Sequence, residues 1–270
     1  MGQQPGAKDK IPFYLWPNIV SLDAPVIALV WQTCIASIFD LSVDFCALTV
    51  LLLSVWLTYT ADHLFDVWNR PEKALRSLRH QWTKRNALCL RSVWICILGL
   101  DILLAVYMLP VAQIQKGAWL LLACILYTLL NQKLTRYWFP KEICVALLFS
   151  GGVHIFLNFE QWIPSFALLT TIFLMNCLLI SIKDHYVDHA LGDCTIASLG
   201  SITLWMTALV GLGINVLLFP ASQQLTCLTI ISLLFLVWLQ FKKDTIDNDT
   251  LHAVADLLLL PAPIVGILIF

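Results

Sequence analysis

Two five-residue segments carry side chains that could do chemistry together: Asp62-His63-Leu64-Phe65-Asp66 and Asp184-His185-Tyr186-Val187-Asp188. Both read D-H-x-x-D. Residues i and i+4 of a helix lie one turn apart on one face, so each segment aims two carboxylates the same way. Two such helix ends facing each other would gather four carboxylates around one pocket. Like charges repel there and desolvation disfavours each of them, so the arrangement calls for a cation. Hard divalent cations take oxygen ligands, and Mg²⁺ usually binds through a few carboxylates plus the phosphates of its substrate. The spacing therefore predicts a Mg²⁺-bridged, phosphate-bearing ligand, with Arg70, Lys133, Lys141 and Lys183 as further positive charge. Two blander readings stand beside it. Acids at helix ends also mark a water interface or pair with basic neighbours. His185 and His189, again at i and i+4, with His63 nearby, would suit a softer metal such as zinc or iron.

The elements that must position these residues are membrane helices. The chain is 60% hydrophobic and 12% charged, roughly half the ~25% charge of an ordinary soluble domain. Apolar segments fall at about 19–39, 43–61, 87–109, 117–131, 142–158, 164–182, 197–218, 224–241 and 252–270, and ~20 apolar residues suffice to cross a bilayer as helix. The expected fold is all-α, a polytopic membrane protein of about nine transmembrane helices. The basic residues agree with that count. Lys8, Lys10, the run from Arg70 to Arg91, Lys133, Arg136, Lys141, Lys183, Lys242 and Lys243 fall on one side, and only Lys116 falls on the other. Lys and Arg are retained in the cytoplasm, which puts the N-terminus inside and the C-terminus outside. Each acid pair then sits at the inner end of an even-numbered span, the second and the sixth.

No hydrophilic linker divides the chain, so residues 1–270 read as one membrane domain, with the inner loop at about 67–86 as a cap. In that loop Arg76, Arg79, His80, Lys84 and Arg85 either attract anionic lipid headgroups or form a lid over the ligand. The net charge of −1 gives no case for nucleic acid. The nine cysteines are scattered and read as small apolar fillers. Asp23 and Asp256, near inner helix ends, either line the same pocket or pair with basic loop residues. Asp101 and His154 read as structural. Asn176 lies about two turns from Asp184 on roughly the same face, along the expected ligand pocket.

At these residues the sequence resembles the UbiA superfamily of intramembrane prenyltransferases. The second segment matches the D-x-x-x-D-x-x-x-G-x-x-T run of that family through Asp184, Asp188, Gly192 and Thr195. The family's first motif is N-x-x-x-D-x-x-x-D; Asp62 and Asp66 match its aspartates, and Thr58 stands at the asparagine position. Tyr127 and Lys141 also resemble family positions near the isoprenoid diphosphate. The resemblance implies a nine-helix bundle that moves a prenyl group from an isoprenoid diphosphate to a lipophilic, often aromatic, acceptor within the membrane lipids. It implies Mg²⁺ on Asp62, Asp66, Asp184 and Asp188, and ligand contacts from Thr58, Arg70, Tyr127, Lys141, Asn176 and Lys183. Tyr59, Phe65, Trp68, Tyr127 and Tyr186 are the aromatic faces that could stabilise a carbocation, or ordinary packing residues. The expected location is a bacterial inner membrane. A non-catalytic lipid-binding relative and a transporter are the competing readings; a transporter would hold its substrate nearer the midplane.

Overall fold

The computed structural model describes residues 11–68, 77–134, 140–190 and 200–270, leaving aside the side chains of 132–134 and 185–190. The described residues form helices joined by short connections. In chain order these are α1 (Trp16–Ile19), α2 (Asp23–Ile38), α3 (Phe45–Trp68), α4 (Leu78–Arg85), α5 (Ala87–Met108), α6 (Val111–Leu134), α7 (Lys141–His154), α8 (Trp162–Ala190), α9 (Ser201–Leu218), α10 (Gln223–Lys242), α11 (Asn248–Leu257) and α12 (Pro261–Ile269). Seven spans among the described residues are long and apolar enough to cross a membrane, and the bent pair Phe13–Ile19 with Asp23–Ile38 makes an eighth. The ninth expected segment, 142–158, supplies the 14-residue α7. The chain is an all-α integral membrane protein.

The helices owe their lipid-facing character to an apolar surface all round. Along α5 residues such as Ile95, Ile102 and Val106 are exposed, and along α6 so are Trp119, Leu122 and Leu126. The interior is built around α8, which packs against α7, α9, α10 and α11. Leu168, Leu169, Ile172, Met175 and Leu179 of α8 are fully buried, together with Trp31 and Ile35 of α2 and Leu233 and Leu236 of α10. An apolar hollow of about 410 Å³ opens between α7, α8 and α9, lined by Leu147, Phe166, Thr170, Leu174, Met206 and Val210. It contains no titratable group and belongs to the end of α8 remote from Asp184.

Two breaks shape the end of the bundle where the acids lie. The chain turns by 85° between Phe13–Ile19 and α2, through Ser21 at φ 60°, a left-handed conformation costing an L-residue roughly 1–2 kcal/mol. The carbonyl of Val20 freed by the turn accepts the Trp56 indole N–H at 3.0 Å, and the Ser21 hydroxyl meets Nδ1 of buried His63 at 2.9 Å. The second break separates α11 from α12 ahead of Pro261, whose ring cannot continue a helix. There the carbonyl of Leu259 accepts the Trp31 indole N–H at 3.1 Å. In both places a tryptophan satisfies backbone that lipid could not.

Candidate active site

The predicted second span runs on past residue 61, so Asp62 and Asp66 occupy the last two turns of α3. α8 likewise continues through Asp184 to Ala190, keeping Asp184 and Asp188 on one helical backbone. Asp62 is exposed and lies near Asp66, Arg79 and Lys141. Asp66 Oδ2 lies 3.5 Å from Nε2 of His80. Asp184 Oδ2 lies 3.0 Å from Nε2 of His252, and its Oδ1 accepts the Asn248 amide N–H at 3.0 Å.

The short helix α4 closes this end. Ser77 caps it by accepting the His80 N–H at 3.2 Å, worth about 1 kcal/mol. The Asp249 carboxylate accepts the Leu78 N–H at 3.1 Å, tying α4 to α11. α11 is capped in turn by Asp247, which accepts the Thr250 N–H at 2.9 Å. Burial pushes the Asp247 carboxyl pKa up, and the Thr250 N–H and hydroxyl outweigh it, leaving the pKa below the usual range. So held, α4 places Arg79 within electrostatic reach of Asp62, Asp184 and Asp249 together. Arg79 is thus a cation near both Asp62 and Asp184. Lys141, opening α7, reaches Asp62 as well, and Tyr127 of α6 lies within reach of both Asp62 and Asp66.

Other basic side chains gather at this end without entering the cleft. Lys84 donates to the carbonyls of Val67 and Trp68 at 2.9 and 3.2 Å, capping α3. The Arg91 guanidinium stacks 4.3 Å above the Trp68 ring. Lys183 donates to the Lys243 carbonyl at 2.6 Å, and Lys243 to the Ser201 hydroxyl at 2.6 Å. Glu142 is buried beside Lys141 and accepts the Ser181 hydroxyl at 2.6 Å.

No family model and no curated protein matches the chain. Its structure is similar to the apo structure of a UbiA homolog from Aeropyrum pernix K1, with a TM-score of 0.59 and 13% sequence identity, over 91% of this chain and 98% of that one. The chain has the UbiA fold.

Within this UbiA fold the predicted site residues divide into three groups. Asp62, Asp66, Asp184, Tyr127 and Lys141 lie toward the end that α4 closes, with Arg79 within electrostatic reach of both Asp62 and Asp184. Asn176 turns elsewhere, donating to Asp256 Oδ1 at 2.9 Å. Thr58 is exposed on α3, and its hydroxyl donates back to the Ser54 carbonyl at 2.8 Å instead of reaching the cleft. Lys183 is spent on the Lys243 carbonyl. Arg70, and the side chains of Lys133, His185, Tyr186, Asp188 and His189, lie outside the described residues. Among the described residues Asp23 and Asp256 form no ion pair with a basic loop residue; they meet each other through Asn18. Asp101 accepts the Ser54 hydroxyl at 2.7 Å, and His154 bridges the Ser150 carbonyl and Ser165 hydroxyl at 2.8 Å each, the structural roles expected.

Sequence reading missed His252, Asn248 and Asn18. A signal for the first existed: His252 and Asp256 stand at i and i+4 in an otherwise apolar last span. Among the described residues no three His, Cys, Asp or Glu side chains converge closely enough to hold a metal ion. The donor set still fits a hard cation in kind. It is all oxygen, and Asp62 has no hydrogen-bond or ion-pair partner among the described residues.

Proposed function

We propose that the chain is a UbiA-type prenyltransferase of a bacterial inner membrane, moving a prenyl group from an isoprenoid diphosphate to a lipophilic acceptor in a Mg²⁺-dependent reaction. The observation that carries this reading is the meeting of Asp62, Asp66, Asp184, Arg79 and Lys141 at one end of an apolar bundle. Arg79 and Lys141 supply charge that a diphosphate needs, and the acids hold those cations in place. Asp62, Asp66, Asp184 and Asp188 would hold Mg²⁺, which neutralises the diphosphate and so eases its departure. Around it α4 caps the cleft and keeps water from the reacting carbon. The Tyr59 and Tyr127 rings, on α3 and α6, offer π faces to developing positive charge.

Two observations favour a second reading, a lipid-binding relative without turnover. Thr58 is bonded to its own helix, and Asp184 is occupied by His252 and Asn248. Both facts leave the acids less disposed to a metal. The two readings separate by experiment. Purified protein in nanodiscs is given an isoprenoid diphosphate with Mg²⁺, and binding and diphosphate release are followed. The transferase binds and releases; Asp62→Ala and Asp184→Ala each cut release at least ~100-fold while the protein stays monodisperse. Binding without release supports the lipid binder, and no binding rejects both.

A further inference from the structure

A second polar centre lies deeper in the bundle than the acid segments. Asp23 opens α2 just after the Ser21 turn, and Asp256 sits near the end of α11. The Asn18 amide donates to Asp23 Oδ2 at 2.7 Å and reaches Asp256 Oδ2 at 3.4 Å, so one N–H group is shared by two carboxylates from different helices. Asp23 Oδ1 accepts the Ala24 N–H at 2.9 Å, and Asp256 Oδ1 accepts the Asn176 amide at 2.9 Å. Among the described residues no Lys or Arg lies within ion-pair distance of either acid. The two carboxylates are thus held side by side on one amide, with no basic partner of their own among the described residues.

The surroundings point to a ligand. Asn176 is only 7% exposed, its donor already turned to Asp256, and its carbonyl Oδ1 is buried without a partner among the described residues. An unpaired acceptor beside two carboxyls asks for an O–H or N–H donor. The position relative to the first cleft is set by α11, where His252 grips Asp184 and Asp256 stands one turn further on, about 5.4 Å. Tyr59 bridges the two places, within electrostatic reach of Asp62 as well as Asp23, Asp256 and Cys177. The charged and titratable groups facing the pair are Tyr59 from α3, Cys177 from α8 and, at longer range, Arg79 from α4.

We propose that Asp23 and Asp256 are the base that takes the acceptor's proton, with the acceptor's ionisable hydroxyl held through Asn176. This rests on the transferase reading. In the step, the C–O bond between the prenyl carbon and the diphosphate breaks and its electron pair leaves with the diphosphate. A new bond forms from the acceptor to the prenyl carbon, and the acceptor's proton passes to the Asp23–Asp256 pair. A diphosphate at Asp62 and Asp184 would direct its chain into the bundle, bringing the reacting carbon toward this pair.

The test uses the full chain in nanodiscs with Mg²⁺, geranylgeranyl diphosphate, its non-hydrolysable thio analogue as binding probe, and alkylphenols substituted to grade their acidity. Asp256→Asn and Asp23→Asn should bind the analogue within about twofold of wild type yet lose roughly 100-fold or more in kcat. Asp256→Glu should recover much of the loss. The defect should shrink as the phenol becomes more acidic, because an acceptor already ionised needs no base; a merely structural role would not move with acceptor acidity. Should Asp256→Asn not fold, Asp23→Asn, on the other helix, carries the same test. Unchanged kcat, a defect constant across the series, or a wild type that binds the analogue and prenylates no phenol overturns this proposal alone. A wild type that binds no analogue overturns the transferase reading and this proposal with it.

Discussion

At the scale of single residues, position 58 separates what a site contains from what it uses. Thr58 stands where the family motif has asparagine, and its hydroxyl is already given to the Ser54 carbonyl. Asparagine adds a carbonyl oxygen, a metal-ligand type that threonine lacks. Thr58→Asn should therefore lower the Mg²⁺ concentration needed for half-maximal diphosphate binding about tenfold, the scale typical of a group that tunes a metal site. Because residue 58 is exposed, its melting temperature should hardly move, a surface change costing within about 0.5 kcal/mol. An unchanged or higher Mg²⁺ requirement would put position 58 outside the metal's surroundings. One helical turn earlier the logic reverses. Ser54 is the donor to Asp101, whose other oxygen is buried without a partner among the described residues. Ser54→Ala removes that donor and should cost roughly 1–3 kcal/mol in a reversible unfolding measurement, with diphosphate binding retained. A stability loss below ~0.5 kcal/mol would show that Asp101 is satisfied some other way.

At the scale of elements, the bundle depends on close approach as much as on apolar character. α12 passes α2 and α10 at Gly266, where an added Cβ would lie 2.6 Å from both Cys34 Sγ and Leu228 Cδ1. A side chain fits there only if Cys34 and Leu228, both buried, turn aside. Gly266→Val should cost about 1–3 kcal/mol or more by overpacking, read as a lower melting temperature in detergent. Gly99, on lipid-facing α5 with nothing near its Cβ position, is the control and should accept valine with little loss. Equal tolerance at both glycines would mean that α12 is not packed as described. This contact was not legible in the sequence, where Gly266 is one more small residue in an apolar run. What was legible were the apolar segments themselves and the i, i+4 acids closing two of them, because both are local patterns. The ties of His252 to Asp184 and of Asn18 to Asp23 and Asp256 depend on which helix ends meet, and no local pattern records that. Likewise the left-handed turn at Ser21 breaks the first span at a residue that has no special preference for it.

At the scale of the whole molecule, the question is how many times the chain crosses, because parity decides on which side each end lies. By length alone α7 fails: 14 residues rise about 21 Å, short of the ~30 Å hydrocarbon core. Its contacts nonetheless make it a crossing. It begins at Lys141, within reach of Asp62 at the acid end, and finishes at His154, bonded to Ser165 in the first turn of α8. α8 then returns to the acid end at Asp184. Were α7 to turn back midway, His154 could not meet the far end of a helix whose other end holds Asp184. The residues after His154 complete the distance, and Lys116 meets Asn158 at that remote end. Counting α7, and taking α11 with α12 as one broken span, gives nine crossings among the described residues, the number expected from the basic residues. The termini then lie on opposite sides. Fusing a fluorescent protein to the C-terminus should give dark cells, because such reporters mature in the cytoplasm, whereas an alkaline phosphatase fusion at the same place should be active. The same pair of reporters placed in the 155–161 connection should give the same result. Fluorescence at the C-terminus would require an even number of spans, and would remove α7 from the crossings while leaving the acid cleft at the end it shares with α4.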